Sequence, residues 1–396
     1  MKVANSNKLL TRKLSRRKFI AASSVVLSAP MIASGLTRQA RAANDGTVRV
    51  LLSAPTFVPE SWDLFEAETG MKIEVDLIKD DSGVYLNEVM VNDAGDRYDI
   101  ISAISGVEKT LSDGGYILPL DTAALSNWSD MSVPVRDMDM IAFNDAHWAV
   151  PLTMNADSFG YAPDKLGLPI PPEEVSWATV YDNPDAMGRT SIGDNFFSLI
   201  KAIVYATSVG IIDDDDPGNP SVSSIKKGGD FLIERKKAGQ FRNFWSTFDD
   251  QVSNFKNNEV DAQECWEPAA KAGVAAGRDL AYADAKEFYV KWAHTLAIPA
   301  QVVDRGTQEN AYKAIDWFMS GAYAAQITPK TGYVTARPDL GKEYAKSLGM
   351  QAETTAALDA ATDKVKNKFS KELFWFNGLP DNTQELAAEM NRVLAV

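Results

Sequence analysis

The stretch 289–299 carries two side chains suited to ligand recognition, Trp292 and His294, with one residue between them. It is rich in β-branched and aromatic residues and stops at Pro299, which predicts a strand. Alternate residues of a strand point to the same face, so the indole and the imidazole share a face. Such a pair either fills a core or forms the wall of a binding site, and these residues alone leave both interpretations open.

The elements that must position this pair begin after an export signal. The first 42 residues contain nine basic residues and no acidic residue. Residues 15–20 resemble a twin-arginine motif, a weakly apolar run 20–36 follows, and 40–42 form a small-x-small cleavage site. The apolar run is too short and too polar for a stable membrane span. We therefore expect twin-arginine export, cleavage near Ala42 and a periplasmic mature chain.

The remainder of the 396-residue chain is long enough for two domains. Without the leader, 31 basic residues stand against 54 acidic ones, a net charge of −23. This charge argues against nucleic acid or an anionic membrane surface as a partner. No second apolar run could insert the mature chain into a membrane. Cys265 is the single cysteine, so an intramolecular disulfide is impossible.

The first part of the mature chain alternates predicted strands with predicted helices. A mainly parallel sheet covered by helices follows from this order. Ligands of such sheets bind beyond the carboxyl ends of the strands, here at the loops 53–59 and 102–106. The predicted strands are 47–52, 71–77 and 98–103, and the helices are 61–68 (capped by Ser61 and ended by Gly70), 84–92 and 108–113.

After residue 152 the helices become longer and prolines cluster between 169 and 172. This change of character predicts a second lobe. The predicted helices of this part are 195–208, 228–237, 307–327 and 386–394.

The order Trp292-x-x-x-Leu296-Ala297-Ile298-Pro299 resembles a strand of the periplasmic spermidine/putrescine-binding proteins of ABC importers. The resemblance covers most of the mature chain and implies an α/β, two-lobe periplasmic-binding-protein fold of type II. Each lobe has a helix-covered, mainly parallel sheet, and the ligand cleft lies between the lobes. Matching segments in the same order are Tyr98-Asp99-Ile100, 115–121, Ala149-Val150-Pro151, 175–178, Asn258-Glu259-Val260, Cys265-Trp266, 310–319 and Gly332-Tyr333.

The implied function is capture of a small solute, hinge closure around it, and delivery to the transmembrane subunits of an ABC permease. We expect a monomer without cofactor or metal. Lobe one is predicted to comprise 43–150 plus roughly 295–330, and lobe two 151–294 plus roughly 331–396.

The resemblance also implies positions for ligand contacts. Each has a structural alternative, such as a core tryptophan, an exposed carboxylate or a helix N-cap. The candidate residues are Trp266, Trp292 and Tyr333 as stacking rings, Glu267 as a replacement for a lost family acid, Asp194 as a retained acid, Thr56 and Phe57 in the first strand-end loop, Ser105 in a later one, and His294.

His294 is a departure from the family pattern, which has an aspartate at this position. An imidazole suits a carboxylate, phosphonate or hydroxyl group of a ligand better than an ammonium group. A polyamine needs a carboxylate for each desolvated ammonium, and most of the family's carboxylates are missing here. The hypothesis is therefore a polyamine-like, amine or zwitterionic ligand that is smaller or less cationic than a polyamine.

Enzymatic interpretations have little support in the sequence, and we expect a binding protein. Two histidines and one cysteine provide neither a catalytic triad nor a zinc site. A glycine loop for phosphate is also missing. Two alternatives remain open: an exported enzyme with unidentified catalytic carboxylates, and a binder of a sugar or an organic acid.

Overall fold

The computed structural model describes residues 46–104, 106–371, 374–376 and 379–396. The predicted export signal and Ser105 lie outside these residues. The strands are β1 Thr47–Ser53, β2 Lys72–Ile78, β3 Ile100–Ile104, β4 Ala142–Phe143, β5 Ala146–His147, β6 Val150–Tyr161, β7 Glu174–Val175, β8 Thr190–Gly193, β9 Phe241–Trp245, β10 Ala262–Cys265, β11 Ala281–Tyr282, β12 Asp284–Ala285, β13 Tyr289–Ala297 and β14 Phe374–Phe376.

Helices occupy most of the connections between these strands. They are α1 Glu60–Thr69, α2 Ser82–Met90, α3 Glu108–Asp113, α4 Val133–Arg136, α5 Pro163–Leu166, α6 Ala178–Tyr181, α7 Phe196–Ser208, α8 Val222–Ala238, α9 Phe248–Lys256, α10 Glu267–Ala275, α11 Val302–Arg305, α12 Gln308–Phe318, α13 Ala322–Thr331, α14 Pro338–Ser347, α15 Ala352–Asn367 and α16 Thr383–Ala395. No described helix combines the length and the apolar content needed to span a bilayer.

Ten of the described strands form one sheet, in the order β2-β1-β3-β13-β6-β10-β8-β9, with β11 beside β6 and β14 beside β13. At one end β1 pairs in parallel with β2 and β3, and at the other β8 pairs in parallel with β9 and β10. The central strands β6 and β13 are antiparallel to each other and to the neighbouring end groups. The predicted strand–helix alternation and the two parallel groups are confirmed.

The two central strands β6 and β13 connect the parallel groups of the sheet. Every residue of both strands is buried, as expected for strands that are covered on both faces. Trp292 is opposite Asn155 in the register, and His294 is opposite Thr153. The register shifts between His294 and Thr295. Trp292 and His294 thus lie at the middle of the sheet, between its two parallel groups of strands.

Two details of the predicted helices are wrong. Ser61 is buried inside α1, which begins after Pro59, so Ser61 is not the cap. The predicted helix 307–327 is two helices, because Gly321 adopts a φ of +104° between α12 and α13. That conformation favours glycine, and a Cβ atom there would collide with the backbone of Leu340. By contrast, α1 ends at Gly70 in the left-handed conformation, as predicted.

Candidate functional site

A cleft of about 420 Å³ opens beside the middle of β13. Three of its lining residues, Pro55, Asp80 and Trp266, come one or two residues after strands β1, β2 and β10. Ligands of parallel sheets bind at such carboxyl ends of strands. Other walls come from β13 and from the end of α13. The lining residues are Pro55, Asp80, Phe248, Trp266, Pro268, Trp292, His294, Lys330, Thr331 and Tyr333.

Aromatic rings make up much of the cleft wall. The Trp292 ring meets the Tyr333 ring edge to face, with centroids 4.9 Å apart and an interplanar angle of 88°. Trp266 is 38 % exposed and contacts the rings of Trp245 and Phe248, with centroids 5.9 and 6.0 Å away. Pockets of this kind bind apolar stems by burial and cations by the ring faces.

His294 brings a polar atom to this aromatic surface. Its side chain is buried, and its Nδ1 atom has no hydrogen-bond partner among the described residues. The nearest carboxylate oxygen, Asp80 Oδ1, is 3.8 Å away, beyond hydrogen-bonding distance. Burial lowers the pKa of His294, and the charge of Asp80 offsets this effect only in part. The imidazole is therefore neutral at pH 7, and its Nδ1 atom is buried without a described hydrogen-bond partner.

Asp80 supplies a carboxylate at the cleft, and its side chain is 40 % exposed. It follows β2, and Ser53 Oγ, at the end of β1, donates a hydrogen bond to its Oδ1 atom at 3.3 Å. The adjacent parallel strands thus hold the carboxylate in place from behind while it faces solvent. A half-exposed carboxylate next to aromatic rings can receive an ammonium group.

Behind the cleft wall, Trp292 is fixed by a buried carboxylate. The Trp292 Nε1–H group donates to Asp157 Oδ2 at 2.6 Å, and Asn155 Nδ2 donates to Asp157 Oδ1 at 2.8 Å. Burial raises the pKa of Asp157 to about 6, although Lys201, the Trp292 hydrogen bond and Lys364 each lower it. This carboxylate contacts the back of the wall and is not a lining group of the cleft.

Glu267, predicted as a ligand carboxylate, is engaged elsewhere. Its Oε2 atom is 2.7 Å from Lys364 Nζ, and its Oε1 atom is 3.1 Å from Lys271 Nζ. Burial alone would raise the pKa of Glu267, but the two lysines lower it to about 2. Glu267 does not line the cleft, and both of its oxygens are already paired with cations.

Four of the predicted site residues, Trp266, Trp292, His294 and Tyr333, come together at the cleft. Asp194 does not line it. The Asp194 carboxylate accepts a hydrogen bond from the Ser246 hydroxyl. The N-cap of α7 is Asn195, whose Oδ1 atom accepts from the Phe197 amide at 3.1 Å. The structural alternative considered for Asp194, a helix cap, is therefore filled by its neighbour.

Two predicted residues of the first strand-end loop also lie off the cleft, although their neighbour Pro55 lines it. Thr56 is fully buried, and its hydroxyl donates to the Ser53 carbonyl at 2.7 Å. The ring of Phe57 packs against Trp62, with centroids 5.8 Å apart. Ser105 cannot be placed, since it lies outside the described residues.

Several lining residues were not predicted from the sequence, above all Asp80, Phe248 and Lys330. Asp80 could have been predicted as a lining residue, because it follows a predicted strand that is parallel to the first one. Phe248 is the first residue of α9, whose N-terminus is marked by a capping box of Thr247 and Asp250. Lys330 pairs with Glu60 at 2.8 Å across the rim, a contact between distant segments that no local pattern indicates.

The described residues contain no group of three or more His, Cys, Asp or Glu side chains arranged to hold a metal ion. The polar chemistry at the cleft is that of Asp80, His294, Lys330, Thr331 and the Tyr333 hydroxyl. These groups can bind ammonium, carboxylate or hydroxyl groups of a ligand.

Comparison with known proteins shows which family the chain resembles. A family model of bacterial extracellular solute-binding proteins matches residues 62–352. The spermidine/putrescine-binding periplasmic protein of Escherichia coli K12 is 24% identical over 340 residues, which cover 83% of this chain and 90% of that protein.

Solved structures show the same fold. The spermidine/putrescine ABC transporter substrate-binding protein PotD of Streptococcus pneumoniae superposes with a TM-score of 0.66 at 14% identity, covering 88% of this chain and 98% of that one. A periplasmic binding protein of A. tumefaciens in complex with glucopine gives a TM-score of 0.58 at 13% identity, with the same coverage.

These matches confirm the predicted two-lobe periplasmic-binding-protein fold. The family model spans nearly three-quarters of the chain, including all the lining residues except Pro55. The chain belongs to the family of bacterial extracellular solute-binding proteins.

Proposed function

We propose that this protein is the periplasmic substrate-binding component of an ABC transporter and captures a small amine or zwitterionic solute for a membrane permease. The relatives named as spermidine/putrescine-binding periplasmic proteins support the transporter role and an amine ligand. The leader-like sequence of the first 42 residues supports export by the twin-arginine route. The protein acts as a monomer, and it binds its solute without converting it.

The observation that carries the ligand class is the charge of the cleft. Among the described lining residues, Asp80 is the single carboxylate, and it lies beside Trp292 and Tyr333. A cation over an indole ring gains roughly 0.5–2 kcal/mol, and the carboxylate neutralises it. One acid can compensate one ammonium group, whereas a polyamine brings two or more that must each be paired when desolvated.

The opposite charge is also available at the rim. Lys330 lines the cleft, and its ammonium group is tied to the half-exposed Glu60. Such an exposed ion pair contributes about 0–1 kcal/mol, so a ligand carboxylate can compete for the lysine at little cost. His294 Nδ1 adds one more polar contact, to a carboxylate or hydroxyl group. Asp80 and Lys330 together favour a zwitterion over a polyamine.

Closure of the lobes completes the proposed cycle. The cleft receives residues from both parallel groups of the sheet, with Asp80 from one and Trp266 from the other. β6 and β13 connect the groups, so a hinge in these strands would move one wall towards the other. A ligand that touches both walls gains contacts only in the closed form and therefore shifts the equilibrium towards closure. The predicted lobe boundaries near 150 and 294 fall within these strands or at their ends.

The ligand class is tested by calorimetric titration of the protein purified from the periplasm. Putrescine and 4-aminobutyrate form a matched pair, because both have a four-carbon chain and differ in one terminal group. Butylamine lacks the second charged group altogether. We expect 4-aminobutyrate to bind more tightly than putrescine, spermidine or butylamine, and mass spectrometry to recover it unchanged.

Two outcomes would contradict this proposal. Micromolar or stronger binding of spermidine or putrescine would show that one cleft carboxylate suffices for a polyamine. Preferential binding of succinate or a hexose would show an organic acid or sugar binder instead. Native mass spectrometry of the freshly purified protein provides an independent check, since a co-purified solute reports its own mass.

A further inference from the structure

Lys364 lies on α15, outside the segment matched by the family model, and is not a lining residue of the cleft. Its side chain is only 11 % exposed. The Nζ atom is 2.7 Å from Glu267 Oε2, 2.8 Å from Asn155 Oδ1 and 3.0 Å from the Gly332 carbonyl oxygen. The three N–H donors of one ammonium group thus meet three acceptors from three separate segments.

Two of these acceptors are direct neighbours of a ring in the cleft wall. Glu267 follows Trp266 in the chain, and Gly332 precedes Tyr333. A hydrogen bond to either acceptor therefore restrains the backbone that carries the ring. Since Trp266 and Tyr333 both line the cleft, Lys364 holds two of its walls from behind.

The third acceptor, Asn155, connects Lys364 to Trp292 through a chain of three hydrogen bonds. Asn155 receives the ammonium group on its Oδ1 atom and donates through Nδ2 to Asp157 Oδ1. Asp157 in turn accepts the Trp292 Nε1–H group on Oδ2. The donor to Asn155 fixes the orientation of this amide, because the acceptor side faces Lys364 and the donor side faces Asp157.

We propose that Lys364 is a positioning residue that sets the geometry of the three aromatic walls formed by Trp266, Trp292 and Tyr333. The inference rests on the proposed function, in which these rings contact the solute. It assigns to helix α15 a role in solute binding without direct contact. Side chains held by buried hydrogen bonds lose less freedom on binding, so such positioning strengthens affinity.

Electrostatics explain how a buried ammonium group is tolerated at this place. Burying a charge is costly unless it is paired and hydrogen-bonded. Glu267 supplies the opposite charge, and the pKa of this carboxyl is about 2 because Lys364 and Lys271 outweigh the effect of burial. Loss of Lys364 would leave Asn155 and the Gly332 carbonyl without this donor, so the three segments would lose their common anchor.

Lys271 provides a matched control. It also pairs with Glu267, but its side chain is 57 % exposed. Its Nζ atom lies close to Gly332, yet no described hydrogen bond joins it to Asn155 or to the Gly332 carbonyl oxygen. Lys364→Met and Lys271→Met therefore remove the same charge beside the same carboxylate. They differ because only Lys364→Met removes the hydrogen bonds to Asn155 and to the Gly332 carbonyl oxygen, which lead to Trp292 and Tyr333.

The first readout needs no ligand. Indole ¹H–¹⁵N resonances of Trp292 and Trp266 are assigned with Trp292→Phe and Trp266→Phe. We expect Lys364→Met to shift the Trp292 resonance, whose N–H group ends the hydrogen-bonded chain, and Lys271→Met to leave it in place. If Lys364→Met fails to fold, Glu267→Gln/Lys364→Met removes the carboxylate that has lost one of its two cationic partners, and it should show the same shift. An unchanged Trp292 resonance in a folded variant would overturn the proposal.

The second readout is the affinity for 4-aminobutyrate, with putrescine as the alternative probe. We expect Lys364→Met to bind roughly tenfold more weakly than Lys271→Met. The loss should be smaller in a Trp292→Phe background, where the chain to the indole is already broken. Equal affinities of the two lysine variants would refute positioning. Absence of binding of both probes to the wild type would refute the proposed ligand class, while the indole resonances would still decide the role of Lys364.

Discussion

The two sides of the wall formed by Trp292 differ in how their polar groups are satisfied. On the cleft side, His294 Nδ1 has no described hydrogen-bond partner, and Asp80 is 40 % exposed. On the far side, Asp157 accepts from Trp292 and Asn155, and Asn155 accepts from Lys364. The polar groups on the cleft side can accept further hydrogen bonds, whereas those on the far side are hydrogen-bonded within the protein.

This difference separates binding from positioning. A buried polar group without a partner costs about 1–3 kcal/mol, and we expect a ligand to provide the partner of His294 Nδ1. A network in which each member is paired stabilises one arrangement of the rings. Trp292 belongs to both sides, because its ring faces the cleft and its N–H group faces Asp157.

The largest expected effect therefore comes from Trp292→Ala. Loss of the ring removes the central wall and leaves Asp157 Oδ2 without its N–H donor, so both affinity and stability should fall. We expect the free energy of unfolding to decrease by about 3 kcal/mol and calorimetric binding of 4-aminobutyrate to weaken by about 100-fold.

Trp292→Phe sharpens this test, since it keeps an aromatic face at the cleft and removes the hydrogen bond behind it. Its stability should fall by about 1–2 kcal/mol, while its loss of affinity should be well below that of the alanine variant. Equal loss of affinity in both variants would show that the hydrogen bond, and not the ring face, determines binding.

The sequence contained enough information to predict the front of this wall. The two-residue spacing of Trp292 and His294 placed both on one face of a strand, because strand periodicity is local. Trp266 and Tyr333 followed from the order of segments shared with a known family. To predict Asp80 as well, one had to note that residues following parallel strands lie at the same edge of the sheet.

The back of the wall was beyond sequence reasoning. Lys364 meets Glu267 and Asn155, which precede it by 97 and 209 residues. Such contacts depend on how α15 packs against the completed sheet, and no local pattern encodes that packing. For the same reason Glu267 was predicted as a ligand carboxylate that replaces a lost family acid, because its partner Lys364 is distant in the sequence. Its second partner, Lys271, lies four residues further along α10 and was predictable from helix periodicity.

Asp80→Asn tests the cleft side alone. The side chain is half-exposed and makes a long hydrogen bond to Ser53, so stability should change little. Loss of the charge should weaken binding of an ammonium-bearing probe by about 2 kcal/mol. Calorimetry with 4-aminobutyrate measures the effect, and Asp63→Asn, an exposed acid of α1, is the control for net charge. Similar affinities for the two variants would mean that Asp80 does not receive the ammonium group.

The pH dependence of stability tests the far side of the wall, where Asp157 lies. Burial raises the pKa of Asp157 from its ordinary value of 3.8 to about 6. The folded state therefore favours the protonated carboxyl, which stabilises the protein below about pH 4, and this contribution is lost as the pH rises through 6. Asp157→Asn cannot ionise, so its stability relative to wild type should increase by about 2 kcal/mol between pH 4 and 7.

Thermal unfolding without ligand at a series of pH values measures this difference between Asp157→Asn and wild type. Glu267 does not interfere, because both proteins contain it and its contribution cancels in their difference. Its pKa is lowered from 4.5 to about 2, so this contribution begins to fall as the pH drops below 4.5. A difference that stays constant from pH 4 to 7 would show that Asp157 remains ionised throughout. In that case the far side of the wall would be a charged network held by Lys364, Lys201 and Trp292, and the distinction between its two sides would rest on hydrogen bonding alone.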